Sequence, residues 1–100
     1  MIRHIVMFRF RDTAEATRAE NTRKAAELLA GLQGHVPTLL TSEVRLNADG
    51  AAAGNYDLVL ITTHESLEAL DAYQKHPAHL AVAAFIGGVR EARACVDFEE

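Results

Sequence analysis

The sequence is poor in cysteine and in basic residues, and it contains no tryptophan. Its single cysteine, Cys95, excludes an internal disulfide and a cluster of cysteines around zinc, and it is compatible with a reducing cytoplasm. Ten Lys and Arg residues against fourteen Asp and Glu residues leave a formal net charge of −4. Nucleic acids and anionic membranes attract proteins with a basic surface, so we expect neither as a partner.

Long apolar runs are also missing. No run is long enough to span a bilayer, and residues 1–6 lead directly into a strand pattern, without the apolar stretch and cleavage site of a signal peptide. We therefore expect a cytoplasmic protein in which residues 1–100 form one domain. Apolar residues make up 49% of this short chain, which suggests that some apolar surface is buried against a second copy.

The spacing of apolar residues predicts the element order β-α-β-β-α-β. The elements are a strand at 2–11, a helix from a capping signal at 12–15 to Gly34, an edge strand at 42–47, a central strand at 56–63, a helix from Ser66 that Pro77 breaks and that resumes until Ile86, and a strand at 92–98. In the second helix Leu67 and Leu70 form the expected inner stripe, and Gly87-Gly88 is the expected stop. This order predicts an α+β, ferredoxin-like antiparallel sheet with both helices on one face.

The other face of this sheet has no helix to cover it. Ile5, Met7, Val59 and Ile61, or their neighbours of opposite parity, occupy that face and are apolar enough to need a cover. The sheet of a second subunit is the simplest cover. We therefore expect a homodimer joined through its sheet faces, which is a dimeric α/β barrel.

The segment from Tyr73 to His79 carries most of the candidate chemistry. Pro77 suits the first position of a helix and places His79 near the third, where the helix dipole favours a neutral imidazole that can act as a general base. Tyr73 can donate its hydroxyl to a developing enolate oxygen, and His4, alone on the apolar face of the first strand, can support the pair. Structural roles stay open: a helix cap for His79, a core aromatic for Tyr73 and a satisfied core histidine for His4.

The other histidines and the cysteine carry weaker signals. His76 precedes His79 by three residues and with His4 would give three imidazoles for zinc, but we predict neither a metal nor a cofactor. His35 and His64 lie near element ends and are predicted to be on the surface. Cys95 is predicted to be a small buried or interface residue.

The first-strand run His4-Ile5-Val6-Met7-Phe8, followed much later by Tyr73 and by His76-Pro77-Ala78-His79, resembles the stress-responsive dimeric α/β-barrel (Dabb) family. The resemblance extends over essentially the whole chain. It implies a homodimeric barrel with its helices outside and a small cavity between helices and sheet in each subunit. Cyclase-type members use a His and a Tyr in that cavity, and these roles fall here on His79 and Tyr73, with His4 nearby.

The sequence also departs from the cyclase-type pattern. Leu58 replaces a histidine of the third strand, and Arg23 and Ala26 stand near the positions of aromatics that line the cavity from the first helix. The resemblance therefore implies the pair of His79 and Tyr73, but it does not imply a pocket that fits a polyketide of the shape that the cyclase-type members bind.

These features favour a small cofactor-independent enzyme doing acid/base chemistry, cyclase- or isomerase-like, on a small carbonyl compound. In this hypothesis His79 is the base, Tyr73 the oxyanion donor and His4 a supporting residue. The alternative is a non-enzymatic stress-responsive or ligand-binding dimeric module. A cofactorless monooxygenase is a further alternative, which no tryptophan or further polar pocket residue supports.

Overall fold

Four strands of the computed structural model, which describes residues 1–100, form one antiparallel sheet. In chain order the elements are β1 (Ile2–Phe10), α1 (Arg18–Ala30), β2 (Thr41–Leu46), β3 (Leu58–His64), α2 (Leu67–Lys75), α3 (Pro77–Val89) and β4 (Arg90–Glu99). The strands are ordered β2-β3-β1-β4, with every neighbouring pair antiparallel. The predicted ferredoxin-like α+β fold is confirmed, and so is the edge position of β2.

One face of the sheet packs under the helices and forms the core. Alternate residues of β1 and β3 are buried there, because side chains along a strand point to opposite faces in turn. The apolar core continues into the helices through residues such as Ala25, Leu29, Leu70, Val82 and Ile86. Three polar side chains lie in the same buried rows of β1 and β3: His4, Thr62 and His64.

The opposite face of the sheet carries apolar side chains with no helix above them. Residues paired directly across antiparallel strands share a face, so the pairs Ile5–Ile61, Met7–Val59 and Ile5–Val96 define this surface. Met7 is 42% exposed, Val96 60% and Phe98 43%. The predicted uncovered apolar face is therefore present, with the predicted residues on it.

Helix α1 begins later than the sequence pattern predicts. The capping signal expected at 12–15 is not used, and Thr17 is the N-cap, in a capping box with Glu20. Asp12 instead accepts a hydrogen bond from the backbone N–H of Arg18. Asp12 and Thr17 each have a side-chain oxygen and are each followed three residues later by Glu. The helix begins at Thr17 because its apolar stripe starts after that residue. The helix also ends at Ala30, four residues before Gly34, which has a positive φ of 85°.

The second helical region confirms the break at Pro77 and corrects two details. Leu70 is buried, but Leu67 is 60% exposed, because the first residue of α2 points away from the sheet. Gly87 and Gly88 do not end α3, which continues to Val89. Neither glycine has a positive φ, and burial of Val89 holds the last turn in place. β4 follows without a connecting loop.

No helix of the structure combines the length and the apolar character that crossing a membrane requires.

Candidate acid–base site

A cavity of about 130 Å³ lies between the helices and the sheet. Its polar lining comes from His4 on β1, Gln74 on α2, His79 on α3, and Arg90 and Arg93 on β4. The rest of its wall is apolar and consists of Val6, Phe8, Leu29, Leu60, Val82, Ala83, Ile86 and Gly87. Its volume is below the roughly 300–1,000 Å³ of pockets for drug-sized ligands, so it suits a small molecule.

His79 occupies the third position of α3, as the sequence predicts. Its Nδ1 is buried and has no hydrogen-bond partner. Burial lowers the pKa of His79, a hydrogen bond to the Gln74 backbone partly opposes this, and electrostatic repulsion from His4 and Arg93 lowers it further. The imidazole is therefore neutral near pH 7.

His4 lies on the buried face of β1, directly opposite Asp97 of β4 in the sheet register. Only 2% of His4 is exposed, and its Nδ1 is hydrogen-bonded to the carboxylate of Asp97. An ionised carboxylate can only accept, so Nδ1 carries the proton. The hydrogen bonds that His4 makes within the chain all involve Nδ1, which leaves Nε2 available to a ligand.

Tyr73 packs behind His79 and is not part of the cavity wall. Its ring centroid is 4.6 Å from that of His79 and 4.9 Å from that of His64. Burial raises the pKa of Tyr73 to about 12, so the phenol is protonated throughout the physiological range. The ring of Tyr73 is thus packed between the imidazoles of His64 and His79 within the core.

His64 is buried, and its predicted surface position is wrong. Its Nδ1 donates to the Thr38 carbonyl at 2.7 Å, and its Nε2 then accepts from the Thr62 hydroxyl at 2.8 Å. Its ring lies 6.2 Å from that of His4, edge to face. Burial lowers the pKa of His64, which matches a neutral ring with one donor and one acceptor nitrogen. The sequence pattern does not reveal this residue, because it predicts that the third strand ends at Thr63. One more residue of alternation would have placed His64 in the buried row of Leu58, Leu60 and Thr62.

The remaining sequence candidates are placed as follows. His35 is exposed, as predicted. His76 accepts the backbone N–H of Ala78 through Nδ1 and so caps α3. The zinc group of His4, His76 and His79 is not assembled; the histidine, cysteine and carboxylate atoms that do converge belong to His4, Cys95 and Asp97. Cys95 is exposed on the edge strand β4, so it is not buried within one chain, and its alternative position at an interface stays a prediction.

Two further side chains of β4, Arg93 and Asp97, lie near the candidate site together with Cys95, and the sequence pattern does not point to them. Arg93, Cys95 and Asp97 are opposite Phe8, Val6 and His4, and therefore share the face that bears the cavity. Alternation within 92–98 indicates that these three side chains share one face of the strand, but their position opposite β1 depends on the register.

Larger depressions lie elsewhere on the surface, beside β2 and along the loop that follows it, with volumes of about 550 and 570 Å³. Neither contains a histidine or a cysteine. The smaller cavity is the better candidate, because acid–base chemistry near neutral pH needs groups such as imidazole.

Fold and cavity together define a ferredoxin-like α+β protein with a histidine-lined cavity under its helices. The chain belongs to the stress responsive A/B barrel domain family, whose family model matches residues 2–100. It is similar to a dimeric ferredoxin-like protein of unknown function from Bacteroides fragilis, with 27% identity and a TM-score of 0.85 over 99% of this chain and 95% of that one.

Two further solved structures are similar. A dimeric ferredoxin-like protein of unknown function from Thermobifida fusca has 31% identity and a TM-score of 0.83, covering 99% of this chain and 90% of that one. A hydroxynitrile lyase from Passiflora edulis has a TM-score of 0.78 over 97% of this chain and 90% of its own; at 16% identity it shares the fold. No curated protein matches the chain.

Proposed function

We propose that this protein is a cofactor-independent acid–base catalyst that acts on a small carbonyl compound by a cyclase- or isomerase-like proton transfer. The observation that carries the proposal is that His4 and His79, 75 positions apart in the sequence, line one cavity. The surrounding wall is apolar, and an apolar wall strengthens interactions between the few polar groups and a bound substrate.

His79 is the proposed base. Its lowered pKa keeps it neutral near pH 7, and its side chain lines the cavity, where a neutral imidazole can take a proton from a carbon or a hydroxyl next to the substrate carbonyl.

His4 is the proposed donor to the substrate oxygen. When protonated, its Nδ1–H stays bonded to Asp97 while Nε2–H is free for the oxygen on which negative charge develops. Asp97 fixes the ring and so acts as a positioning residue, in the manner of the carboxylate of a catalytic triad. In this arrangement His79 removes the proton next to the substrate carbonyl, and His4 stabilises the negative charge that develops on the carbonyl oxygen.

Tyr73 receives a positioning role in this proposal, in place of the oxyanion role that the sequence suggested. Its ring lies between those of His79 and the buried His64, and its contact with His79 restricts the orientation of that imidazole. Since Tyr73 is absent from the cavity wall, loss of its hydroxyl has a smaller effect than loss of either histidine that lines the cavity.

The substrate is proposed to be anionic as well as small. Arg90 and Arg93 line the cavity, and neither has a carboxylate within ion-pair distance, whereas Arg3, Arg9, Arg18 and Arg45 are all paired. A keto acid whose carboxylate meets one guanidinium fits this distribution of charge.

We further propose that two copies associate through their uncovered sheet faces. In a single chain the apolar side chains of that face are exposed to water, which is unfavourable for so large a patch. The similar proteins from Bacteroides fragilis and Thermobifida fusca are dimeric. Association would bury Met7, Val96 and Phe98, which are the most exposed apolar side chains of the face.

Hydrogen–deuterium exchange next to the carbonyl tests the chemistry without knowledge of the natural substrate. The protein is incubated in deuterium oxide with a panel of small keto acids such as α-ketobutyrate, together with butanone as an uncharged analogue, and loss of the proton signal is followed by NMR. We expect acceleration for keto acids, and a loss of about 100-fold or more in His79→Gln, which is the usual contribution of a general base.

His35→Gln is the matched control, because His35 is an exposed histidine remote from the cavity wall. If the purified protein accelerates exchange in no member of the panel, or if His79→Gln exchanges as fast as the parent, the catalytic proposal is wrong. Saturable keto-acid binding that depends on Arg93 but gives no exchange would instead support the ligand-binding alternative.

A further inference from the structure

A cluster of potential metal ligands lies at the edge of the cavity. His4 Nδ1, Cys95 Sγ and an Asp97 carboxylate oxygen all lie within 4.8 Å of one another. The sheet register explains this convergence, since Asp97 is directly opposite His4 and Cys95 precedes it by two residues on the same face of β4. Two rigid neighbouring strands therefore hold one imidazole, one thiol and one carboxylate together.

Two of the three distances in the cluster match the edges of a tetrahedron around zinc. With Zn–S near 2.3 Å and Zn–N and Zn–O near 2.0 Å, tetrahedral angles place sulfur roughly 3.5 Å from each of the other two ligand atoms. In the structure Cys95 Sγ is 3.6 Å from His4 Nδ1 and 3.5 Å from Asp97 Oδ1. Only the contact between His4 and Asp97 is too close, because a proton bridges them, and the metal ion would replace that proton.

The charges of the three groups also suit a divalent ion. A thiolate and a carboxylate balance the two positive charges, and the imidazole binds as a neutral ligand, so the occupied site has no net charge. On binding to the neutral ring one proton leaves to solvent, from Cys95 Sγ, while the Nδ1 proton of His4 is replaced by one on Nε2 so that the imidazole stays neutral. Burial and the neighbouring Asp97 carboxylate raise the pKa of the Cys95 thiol, and Arg93 opposes this only in part, so the ion has to displace the thiol proton.

We propose that His4, Cys95 and Asp97 form a binding site for a divalent transition-metal ion of the zinc type. Sulfur and nitrogen ligands select zinc, cobalt or nickel over magnesium and calcium, which prefer oxygen. Three protein ligands leave a fourth position for water or a small ligand, which is the pattern of zinc sites that are not purely structural.

The site would place the ion beside the cavity, because His4 belongs to both. Binding of the metal breaks the hydrogen bond between His4 and Asp97 and occupies the nitrogen that faces the carboxylate. The metal-bound and metal-free forms therefore present two different states of His4 to a ligand. This inference stands on the geometry of the three side chains and does not depend on the proposed catalysis.

Cobalt(II) titration tests the site directly. The full-length protein is freed of metal with a chelator under reducing conditions and titrated with cobalt chloride in a buffer that does not bind metals. We expect saturation at one cobalt per chain, visible d–d bands typical of tetrahedral cobalt, and a near-ultraviolet thiolate-to-cobalt band. Zinc should abolish all of these bands, whereas an excess of magnesium should leave them unchanged.

Variants locate the bound ion. Cys95→Ser should abolish the thiolate band, and Asp97→Asn should weaken cobalt binding by about tenfold or more. Both residues are exposed on an edge strand, so we expect both variants to fold, which circular dichroism verifies. Glu99→Gln is the control, since Glu99 is an exposed carboxylate of β4 outside the cluster.

Absence of a thiolate band at excess cobalt in the parent protein overturns the proposal. So does a parent-like affinity in Asp97→Asn, or a thiolate band that persists in Cys95→Ser, because the ion would then lie elsewhere. Loss of keto-acid exchange activity has no bearing on this result, since cobalt absorption is read in the absence of substrate.

Discussion

Burial keeps His64 and His79 neutral, and this makes the native state sensitive to acid. The pKa of each histidine is lowered, chiefly by burial, so between that lowered value and the ordinary value near 6.5 the unfolded chain holds a proton that the native state lacks. Their contribution to stability is therefore complete above the ordinary pKa and is lost as pH falls towards the lowered one.

We predict that stability to urea decreases between pH 7 and pH 5, with a slope of up to about 1.4 kcal/mol per pH unit for each of these histidines. His64→Gln should be less stable at pH 7, because two buried hydrogen bonds are disturbed, but should lose less stability on acidification. The measurement is urea unfolding at both pH values and at one protein concentration. His35→Gln should keep the slope of the parent, and an unchanged slope in His64→Gln would contradict the argument.

The residue types of the site were predictable in part. His4 and His79 stood out because a polar residue in an apolar strand and a histidine behind a helix-opening proline are local signals. Asp97 could not be recognised in this way, since an acidic residue in an edge strand is ordinary. Its role comes from the register that places it opposite His4, and register is a relation between distant segments.

At the scale of the element, the start of α1 depends on Thr17 and not on the earlier signal at 12–15. Thr17 accepts the backbone N–H of Glu20, and the Glu20 side chain accepts the backbone N–H of Thr17. We predict that Thr17→Ala lowers the free energy of unfolding by about 1 kcal/mol, the usual value for loss of an N-cap. Chemical denaturation measures this.

Glu15→Ala is the corresponding control for the earlier signal, because alanine, unlike glutamine, cannot replace glutamate in a capping box. Glu15 is exposed and forms no hydrogen bond or ion pair in the capping box, so we expect a change within about 0.5 kcal/mol. Equal losses in the two variants would mean that the helix begins at the earlier site.

The boundaries that prediction missed share a physical cause. Residues 12–15 and Gly87-Gly88 carry the correct local signals for a helix start and a helix stop, but tertiary contacts override them. α3 continues through two glycines because Val82, Ile86 and Val89 pack against the sheet in successive turns. A local preference of about 1 kcal/mol per glycine is smaller than the burial of such side chains.

At the scale of the whole molecule, the fold follows from the sequence more fully than the site does. Six alternating apolar segments in the order β-α-β-β-α-β leave few ways to bury every apolar face, and one of them is the observed sheet. The open face follows from the same order. The cavity could not be derived in this manner, because its shape depends on how far α3 stands from β1 and β4.

The uncovered apolar face of the sheet is predicted to determine whether two copies associate. We expect Val96→Glu to prevent the proposed association of two copies, since Val96 is 60% exposed in the single chain and lies opposite Ile5 on the open face. Leu80→Glu, a substitution of a 53% exposed residue on helix α3, should leave the mass unchanged. Analytical ultracentrifugation distinguishes the two, and a dimeric Val96→Glu would show that association uses another surface.

In β4 the side chains of Arg93, Cys95 and Asp97 point to the face of the sheet that bears the cavity, and those of Val96 and Phe98 point to the open apolar face. Substitution at Arg93, Cys95 or Asp97 can therefore change what the cavity binds without touching the opposite surface. Insertion or deletion of one residue within β4 would exchange the two sets, placing Val96 against His4 and the charged residues on the apolar face. A change in the length of β4 is therefore expected to be more damaging than a substitution at one of its positions.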